Sequence, residues 1–405
     1  MRKCNRLICL AVLFVLTVGA AFSLNGCGAH KNEAKSTLAT NGNGGKTDVG
    51  TWYMTYNNSS MWQNNFGSGY AIKYRSLLSE DPDVYGIPDS SDPNVIDFHL
   101  KKLAEAKVDF ILFDLTNGGL TNKLEYGTGN EWIVDNAKLT CQRLVKWNSE
   151  NDWKIKYAVA VGTYEAICGG KPVGYTAEVQ AEAVWKDFYE NEEYGGDTYY
   201  QLDGKPLLIL HDWGKDSQEL WKNYSGDKTY GNRFTVRRGQ AGEKGTYGWQ
   251  TSYGVVIDEE VECVCPGWVT AGNEIQNGIP RENGNYYKTS WETVTSNPLP
   301  RILMVVAFND YNEHLAVFPS ESGECNNTTE EQWRNADGEL DNDMYWDMTV
   351  EGIKEIRRIN GEVKAEFAID ERFILWCAVI ATAALTVVAA VAVVIVAVRL
   401  KKSGK

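Results

Sequence analysis

The middle of the chain repeats one pattern, a short run of apolar residues followed by a segment with helical spacing. The clearest runs are FILFDL at 110–115, YAVAVG at 157–162 and LLILHD at 207–212. Near-continuous apolar strands are typical of a parallel sheet that is covered on both faces. Roughly seven or eight such units within residues 49–365 favour an α/β fold, a (β/α)8 TIM barrel. No G-x-G-x-x-G motif follows a strand, which argues against a dinucleotide-binding sheet.

Both ends of the chain carry segments that are predicted to interact with a membrane. Residues 1–27 join a basic start to an apolar run and read as a signal peptide, whose last residues, LNGC, resemble a lipobox with Cys27 lipidated. Residues 28–48 are polar and small, and predict a flexible tether. Residues 373–398 carry no charge and predict a transmembrane helix, followed by a basic cytoplasmic tail at 399–405. The domain between them is therefore predicted to be extracytoplasmic and anchored to the cell membrane.

Charge and composition narrow the classes of partner. The 40 Lys and Arg against 54 Asp and Glu give a net charge of −14, which argues against nucleic acid. Aromatic residues make up 12% of the chain, and rings beside carboxylates suit carbohydrate, whose C–H faces stack on them. The chain has only four His and no Cys/His cluster with zinc spacing, so neither a metal nor a cofactor is predicted. Arg237 and Arg238 read as a solvated strand end.

Polar side chains close several of the apolar runs. Asp114 ends FILFD, Glu165 follows YAVAVGTY, and His211 with Asp212 ends LLILHD. Active sites of such barrels lie at the C-terminal ends of the strands, so these residues are candidates for one shared cavity. An acidic residue after a strand also often caps the next helix, which leaves both interpretations open for each of them.

The stretch AFNDYNEHLAVFPS, residues 307–320, differs because its acidic residues come as a pair. Asp310 and Glu313 are three residues apart and lie on the same side if the loop turns helically. Cleavage of a glycosidic bond requires an acid on one side and a base or nucleophile on the other. Spacing in sequence does not give the distance between the carboxylates, so inverting and retaining outcomes both stay open. An ordinary loop capped by polar residues is the alternative.

The same stretch resembles the SFNEWGEGTxIEP signature of glycoside hydrolase family 99, the endo-α-mannosidases and endo-α-mannanases, and of its family 71-like relatives. Other segments agree in order: GTWYMTY resembles the aromatic first strand, DSSDP leads into the first helix, and YYQLDGKPLLIL matches the approach to the fourth strand. The similarity covers roughly residues 50–360. It implies a (β/α)8 glycosidase that uses no cofactor.

The resemblance also implies roles for the pair. Asp310 would assist the sugar 2-hydroxyl as it attacks its own anomeric carbon, and Glu313 would act as acid and then base, with overall retention. Asp310 departs from the family, which has Glu there, and its carboxylate sits one methylene further back. Tyr311 replaces a Trp, while Asn312 and His314 replace small and Gly residues beside the second glutamate.

These observations predict a surface-anchored glycoside hydrolase that acts on α-linked glycans, mannan-like or glucan-like. The predicted sugar-binding residues are Tyr53, Tyr56, Asp114, Glu165, His211, Trp249, Trp268, Asn309 and Tyr311. Core packing is the alternative for each aromatic ring among them. The rival function is a catalytically inactive barrel that binds surface polysaccharide or serves in envelope assembly, and the Asp at 310 favours it. A hydrolase for non-sugar substrates ranks last because no GxSxG motif is present.

Overall fold

The computed structural model describes most of the chain between residues 45 and 362. The described ranges are 45–58, 74–117, 120–121, 123–124, 129–164, 167, 169–212, 215–239, 243–248, 254–269, 278–322, 332–335, 337–362 and 390–399. The chain divides into two compact units, residues 1–353 and residues 354–405. The first unit holds all the strands given below.

Strands and helices alternate along this unit. The described strands are β1 (Asp48–Tyr53), β2 (Tyr74–Leu77), β3 (Tyr85–Gly86), β4 (Phe110–Leu115), β5 (Lys156–Gly162), β6 (Gln201–Leu202), β7 (Lys205–His211), β8 (Thr235–Arg238), β9 (Val261–Val264), β10 (Ile302–Val305) and β11 (Ser320–Ser322). The described α-helices with assigned bounds are α1 (Pro93–Glu105), α2 (Glu131–Glu150), α3 (Val173–Val184), α4 (Ser217–Asn223), α5 (Asn285–Ser296) and α6 (Met344–Ile359). The predicted α/β class is confirmed.

Seven of these strands form one parallel sheet in the order β9, β10, β1, β4, β5, β7, β8, and β6 pairs antiparallel with β7. Thr51 in β1 shows the register, because it pairs with Val305 of β10 on one side and with Ile111 of β4 on the other. All three residues are buried. The apolar runs are therefore strands without a solvent-exposed face, as their composition requires.

Side chains fill the inner face of the sheet. A Cβ atom at Gly50 would lie 2.3 Å from Cζ of Phe110 and 2.7 Å from Sδ of Met304, so only glycine fits between these two side chains. Phe110 in turn stacks on Tyr200, with ring centroids 4.0 Å apart. This packed interior leaves the C-terminal ends of the strands as the place for a binding site.

The outermost parallel strands, β8 and β9, approach each other on either side of Thr246 and Tyr247. The Tyr247 N–H donates to the carbonyl of Arg238 in β8 at 3.0 Å, and Sγ of Cys263 in β9 donates to the carbonyl of Thr246 at 3.3 Å. Arg238 and Thr246 form a single parallel β-bridge. The curled sheet fits a TIM-like barrel, with seven described parallel strands and these two residues at the seam.

Helix α1 begins at the motif that the sequence singles out. Asp92 is its N-cap and accepts a hydrogen bond from the Asn94 N–H at 2.8 Å, while Pro93 takes the first helical position, where no N–H is needed. Leu100 and Leu103 are fully buried, which confirms the predicted apolar face. The DSSDP stretch therefore acts as a helix start.

A second, three-stranded antiparallel sheet has the order β11, β2, β3. One face of it contacts the loop that follows β10: Ser76 of β2 and Ser320 of β11 both hydrogen-bond the Tyr311 hydroxyl, at 2.9 and 3.1 Å. This small sheet is thus a brace for the loop that carries Asp310 and Glu313.

The terminal predictions lie mostly outside the described residues. These are the signal peptide at 1–27, nearly all of the tether at 28–48, residues 373–389 of the predicted transmembrane helix and most of the basic tail. Residues 390–399 are helical. Within the described part of the chain, no helix combines the length and apolar character needed to cross a membrane.

Candidate active site

Side chains from four strands and their loops meet at the C-terminal end of the parallel sheet. Tyr56 follows β1, Asp114 lies near the end of β4, His211 is the last residue of β7, and Asp310 follows β10. Burial raises the pKa of Tyr56 well above its usual value, and the negative charges of Asp310, Asp114 and Glu313 raise it further. Mutual influence of this kind places the predicted groups around one site.

The loop after β10 folds around Asp310. Its Oδ1 atom accepts hydrogen bonds from the N–H groups of Asn312 and Glu313, both at 3.1 Å. Its carbonyl oxygen accepts from the N–H groups of Leu315 at 2.9 Å and Ala316 at 2.8 Å. An Asp that bonds the backbone two and three residues onward closes a turn by itself. The tight turn brings the Glu313 backbone N–H to the Asp310 carboxylate.

Asn309 fastens this loop to the end of β1. Its side-chain oxygen accepts from the Met54 N–H at 2.8 Å, and its Nδ2 donates to the Met54 carbonyl at 2.9 Å. Nδ2 of Asn57 donates to the Asn309 carbonyl at 3.2 Å. Because its amide group is buried and bonded to the Met54 backbone, Asn309 positions the loop.

Asp310 is 1% exposed, and its carboxylate is held by neutral donors. The Tyr56 hydroxyl donates to Oδ1 at 2.9 Å, joining the two backbone N–H groups there. Burial raises the pKa of Asp310 to about 6; the Glu313 N–H and the Tyr56 hydroxyl oppose this shift, and the charge of Asp114 adds to it. No donor among the described residues contacts Oδ2, so that oxygen is the one able to accept a substrate proton.

Glu313 is only partly buried, and a tryptophan holds it. Nε1 of Trp268 donates to Oε2 of Glu313 at 3.1 Å. The Trp268 backbone exchanges two hydrogen bonds with Ile279, at 2.9 and 2.7 Å, and the Val269 N–H donates to the Glu313 carbonyl at 3.1 Å. Trp268 was predicted as a sugar-binding ring; its indole N–H also orients the second carboxylate.

Asp114 near the end of β4 and His211 at the end of β7 lie on either side of β5. Burial raises the pKa of Asp114, against the hydrogen bond from Thr116 and the charge of His211. Burial lowers the pKa of His211, which favours the neutral imidazole. Gly162 of β5 lies between their strands, and a Cβ atom there would come within 2.1 Å of the Thr116 carbonyl. The small residue therefore lets the ends of β4 and β5 pack closely below the site.

Two predicted sugar-binding tyrosines lie elsewhere. Tyr53 is 2% exposed, and its hydroxyl is 2.9 Å from Nδ1 of His99 on α1. The neighbouring residue Trp52 points to the opposite face of β1, towards the interior of the curled sheet, where Nε1 of Trp52 donates to the Tyr247 carbonyl at 2.5 Å. Tyr311 is fully buried against the small sheet. Both rings pack in the core, which is the alternative interpretation given for the aromatic residues.

Glu165 and Trp249 lie outside the described residues and stay predictions. Within the described part of the chain, no group of three His, Cys, Asp or Glu side chains could hold a metal ion.

Sequence reasoning missed Arg281. This buried guanidinium donates through Nη2 to the carbonyls of His314 at 2.7 Å and Ala316 at 3.1 Å. It also lies over the ring of Tyr345, 4.4 Å from the centroid. Arg281 thus holds the end of the turn that Asp310 begins. No local pattern around residue 281 signals this role, because its partners are more than thirty residues away in sequence.

Comparison with known proteins finds solved structures whose fold is similar to that of this chain. No family model and no curated protein matches this sequence. Two solved structures that are similar to this chain are of the GH99 endo-α-mannosidase from Bacteroides thetaiotaomicron, one of them in complex with bis-tris-propane. Identity is 15% and 14%, TM-scores are 0.53 and 0.51, and each match covers 77% of this chain and 98% of the other. This chain has a fold like that of GH99 enzymes, in line with the resemblance of its motifs.

Proposed function

We propose that the protein is a glycoside hydrolase that cleaves α-linked glycans, mannan-like or glucan-like. One observation carries the proposal: a single turn at the C-terminal end of the sheet holds two carboxyl groups in different environments. Asp310 is buried and its pKa is raised to about 6, whereas Glu313 is partly exposed and oriented by Trp268. Two carboxyl groups with distinct surroundings are the equipment that glycoside hydrolysis requires.

In the first chemical step Asp310 is the base. At neutral pH it is mostly ionised, and its Oδ2 accepts the proton of the sugar 2-hydroxyl. The freed oxygen attacks the anomeric carbon, while Glu313 gives its proton to the departing glycosidic oxygen. The bond between the anomeric carbon and the leaving group breaks, and an epoxide-like sugar remains.

The second step reverses the proton transfers. Glu313, now ionised, removes a proton from water, whose oxygen attacks the anomeric carbon and opens the strained ring. Asp310 returns its proton to the sugar 2-oxygen. Both side chains end as they began, and the anomeric configuration is retained.

The likeness in fold supports the substrate class. The two similar structures are named as endo-α-mannosidases, and the motif of residues 307–320 resembles the signature of that family. Tyr56, Asp114, His211 and Trp268 are the described residues that we assign to sugar binding. Glu165 and Trp249 complete the proposed set from the sequence.

A second candidate function is favoured by one contact pattern. Oδ1 of Asp310 accepts three hydrogen bonds, two of which close its own turn. A carboxylate that caps a turn serves the fold whether or not it reacts. The rival is therefore a catalytically inactive barrel that binds polysaccharide at the same cleft or serves in envelope assembly.

Product analysis separates the two functions. The purified full-length protein is incubated with α-mannans, α-glucans and aryl α-glycosides, and the released oligosaccharides are identified. Glu313→Gln should abolish release, because the amide cannot donate the required proton. Glu150→Gln, an exposed glutamate at the end of α2, is the matched control and should leave release unchanged. Polysaccharide binding without products from any substrate would select the inactive barrel.

We also propose that the protein is anchored at the cell membrane with this site outside. The support is in the sequence: the lipobox-like LNGC and the uncharged residues 373–398 followed by basic ones. A chain ending at residue 365 with Cys27→Ser should move from the membrane fraction to the soluble fraction. A truncated chain that stays with the membrane would contradict the proposal that these two features are what holds the protein there.

A further inference from the structure

A cavity of about 690 Å³ lies on the outer face of the small sheet. Successive strand residues point to opposite faces. Ser76 and Ser320 point inward to Tyr311, so Arg75 and Glu321, which are paired in register, point outward into this cavity. The cavity is separate from the cleft that holds Asp310, and the catalytic steps proposed above make no use of it.

The walls combine apolar surface with hydrogen-bonding groups. The lining includes Tyr85 of β3 and Leu340, which is 54% exposed. Asp341, Asp343 and Glu321 supply carboxylates. Carboxylates beside a half-buried tyrosine ring suit the alternating hydroxyl and C–H faces of a sugar. The volume falls within the roughly 300–1,000 Å³ of sites for ligands of drug size, which is the size of a short oligosaccharide.

Charge decides which sugars fit. The lining carries three carboxylates, on Glu321, Asp341 and Asp343, against one guanidinium, on Arg75. Arg75 forms an ion pair with Glu321 across the two strands. The remaining negative charge, on Asp341 and Asp343, repels sulfated or uronic glycans. A neutral glycan is the class that meets no charge penalty.

The wall is also fixed in place before any ligand arrives. The Asp343 N–H donates to Oδ1 of Asp341 at 3.2 Å, and the Ser320 N–H donates to the Asn342 carbonyl at 3.0 Å. Burial raises the pKa of Tyr85, against a hydrogen bond with Asn342. Groups held in advance lose little conformational entropy on binding.

We propose that this cavity is an accessory site that binds a neutral stretch of the same α-linked glycan on which the cleft acts. The inference rests on the proposed function for the identity of the glycan. A polysaccharide held here stays close to the protein between cleavages, so the local concentration of bonds at the cleft rises. Short substrates that reach only the cleft gain nothing from it.

Binding and hydrolysis are measured separately to test this. The full-length protein carrying Glu313→Gln, which cannot cleave, is run through gels containing neutral α-mannan or α-glucan, and its retardation gives the affinity. Tyr85→Ala and Asp343→Asn should each weaken retardation about five- to tenfold. Asp83→Asn, an exposed carboxylate on the β2–β3 turn that does not line the cavity, is the matched control and should bind like the parent.

Hydrolysis by the otherwise unchanged protein gives the second readout. Tyr85→Ala should raise KM for the polysaccharide and leave kcat/KM for an aryl glycoside unchanged. Retardation equal to that of the parent in both variants, stronger retardation by a sulfated glycan, or no retardation by any glycan would overturn the proposal. Retardation that depends on Tyr85, with no hydrolysis by the parent, would overturn the proposed hydrolase and leave the accessory site standing.

Discussion

The acidic residues Asp203, Glu260 and Asp310 have different hydrogen-bond partners at the two ends of the parallel sheet. At the N-terminal end Asp203, just before β7, accepts from Nη1 of Arg301 at 2.6 Å, and Glu260, just before β9, accepts from Nε of Arg237 at 2.5 Å. At the C-terminal end Asp310 is bound by a hydroxyl and two backbone N–H groups. Within the described residues, no Lys or Arg side chain forms an ion pair with it.

The pKa values move accordingly. Hydrogen bonding to Arg301 lowers the pKa of Asp203, whereas burial raises the pKa of Asp310 to about 6. The same residue type thus stabilises the fold at one end of the sheet and is held at a cost at the other. Costly, perturbed carboxyl groups are typical of functional sites. Burial also raises the pKa of Glu262, the second residue of β9, to about 7, so the raised pKa of Asp310 supports a site at the C-terminal end only together with the turn and the hydrogen bonds around it.

The largest expected effect is that of Asp310→Asn. We expect kcat/KM to fall by at least about 100-fold, because the base is removed. The free energy of unfolding should rise by about 1–2 kcal/mol above pH 6, since the amide oxygen keeps its three donors and never ionises.

The raised pKa of Asp310 determines how the free energy of unfolding depends on pH. The folded state holds the Asp310 proton more tightly than the unfolded state, so the stabilising contribution is complete below the usual value of 3.8 and is lost as pH rises through about 6. Urea unfolding of parent and variant at about pH 4 and about pH 7.5 measures it. A variant that is less stable than the parent at the higher pH would contradict the claim that ionised Asp310 destabilises the folded state.

Arg237→Met tests the opposite end. It leaves Glu260 without its guanidinium partner and also removes a contact with Asp203 at 3.4 Å. We expect a loss of about 1–3 kcal/mol in the free energy of unfolding, with kcat/KM per folded molecule unchanged. Lys186→Met, which removes an exposed pair with Glu182 on α3, is the control and should change stability by less than about 0.5 kcal/mol. A strong loss of activity at full stability would show that the N-terminal end is functional too.

Trp268→Phe sharpens the description of the C-terminal end. Phenylalanine keeps a ring for stacking but removes the N–H that donates to Glu313. If the N–H positions the acid, kcat for an aryl glycoside should fall about three- to tenfold with little change in KM. An unchanged kcat with a raised KM would instead make Trp268 a sugar platform alone.

The smallest effect is expected from Asp203→Asn. The lowered pKa of Asp203 means that its contribution to stability is present above about pH 4 and is lost as pH falls through the folded-state value. The variant should therefore be slightly less stable than the parent near pH 7, and the difference should vanish in acid. Thermal unfolding across this range tests it. A difference that grows in acid would contradict the direction of the shift.

Sequence reasoning reached the features that are local. Apolar runs predict the strands, and the acidic residues that close them are predictable because the C-terminal ends of parallel strands share one edge. The pair Asp310 and Glu313 needed only their spacing. The sequence alone does not show which of two adjacent aromatic residues faces the interior of the sheet, because Trp52 and Tyr53 are both large and both buried. Only the neighbouring elements fix that choice.

Long-range partners were out of reach for a different reason. Arg237 reads as a solvated strand end, yet its partner Glu260 is 23 residues away, and the partner of Arg301 is 98 residues away. Nothing local distinguishes an arginine that will be paired from one that will stay in water. Arg281, which holds the end of the turn that Asp310 begins, was not predicted for the same reason.

The crowded oxygen of Asp310 also constrains how this protein can change over generations. Three hydrogen-bond donors surround the short side chain of Asp310. The turn ends at His314, which has a φ of 56° and occupies the position of a glycine in the signature that this stretch resembles. A glutamate at 310 alone would carry its carboxylate one methylene further, past those donors. A change at position 310 is therefore expected to be tolerated only with compensating changes in the turn that follows it.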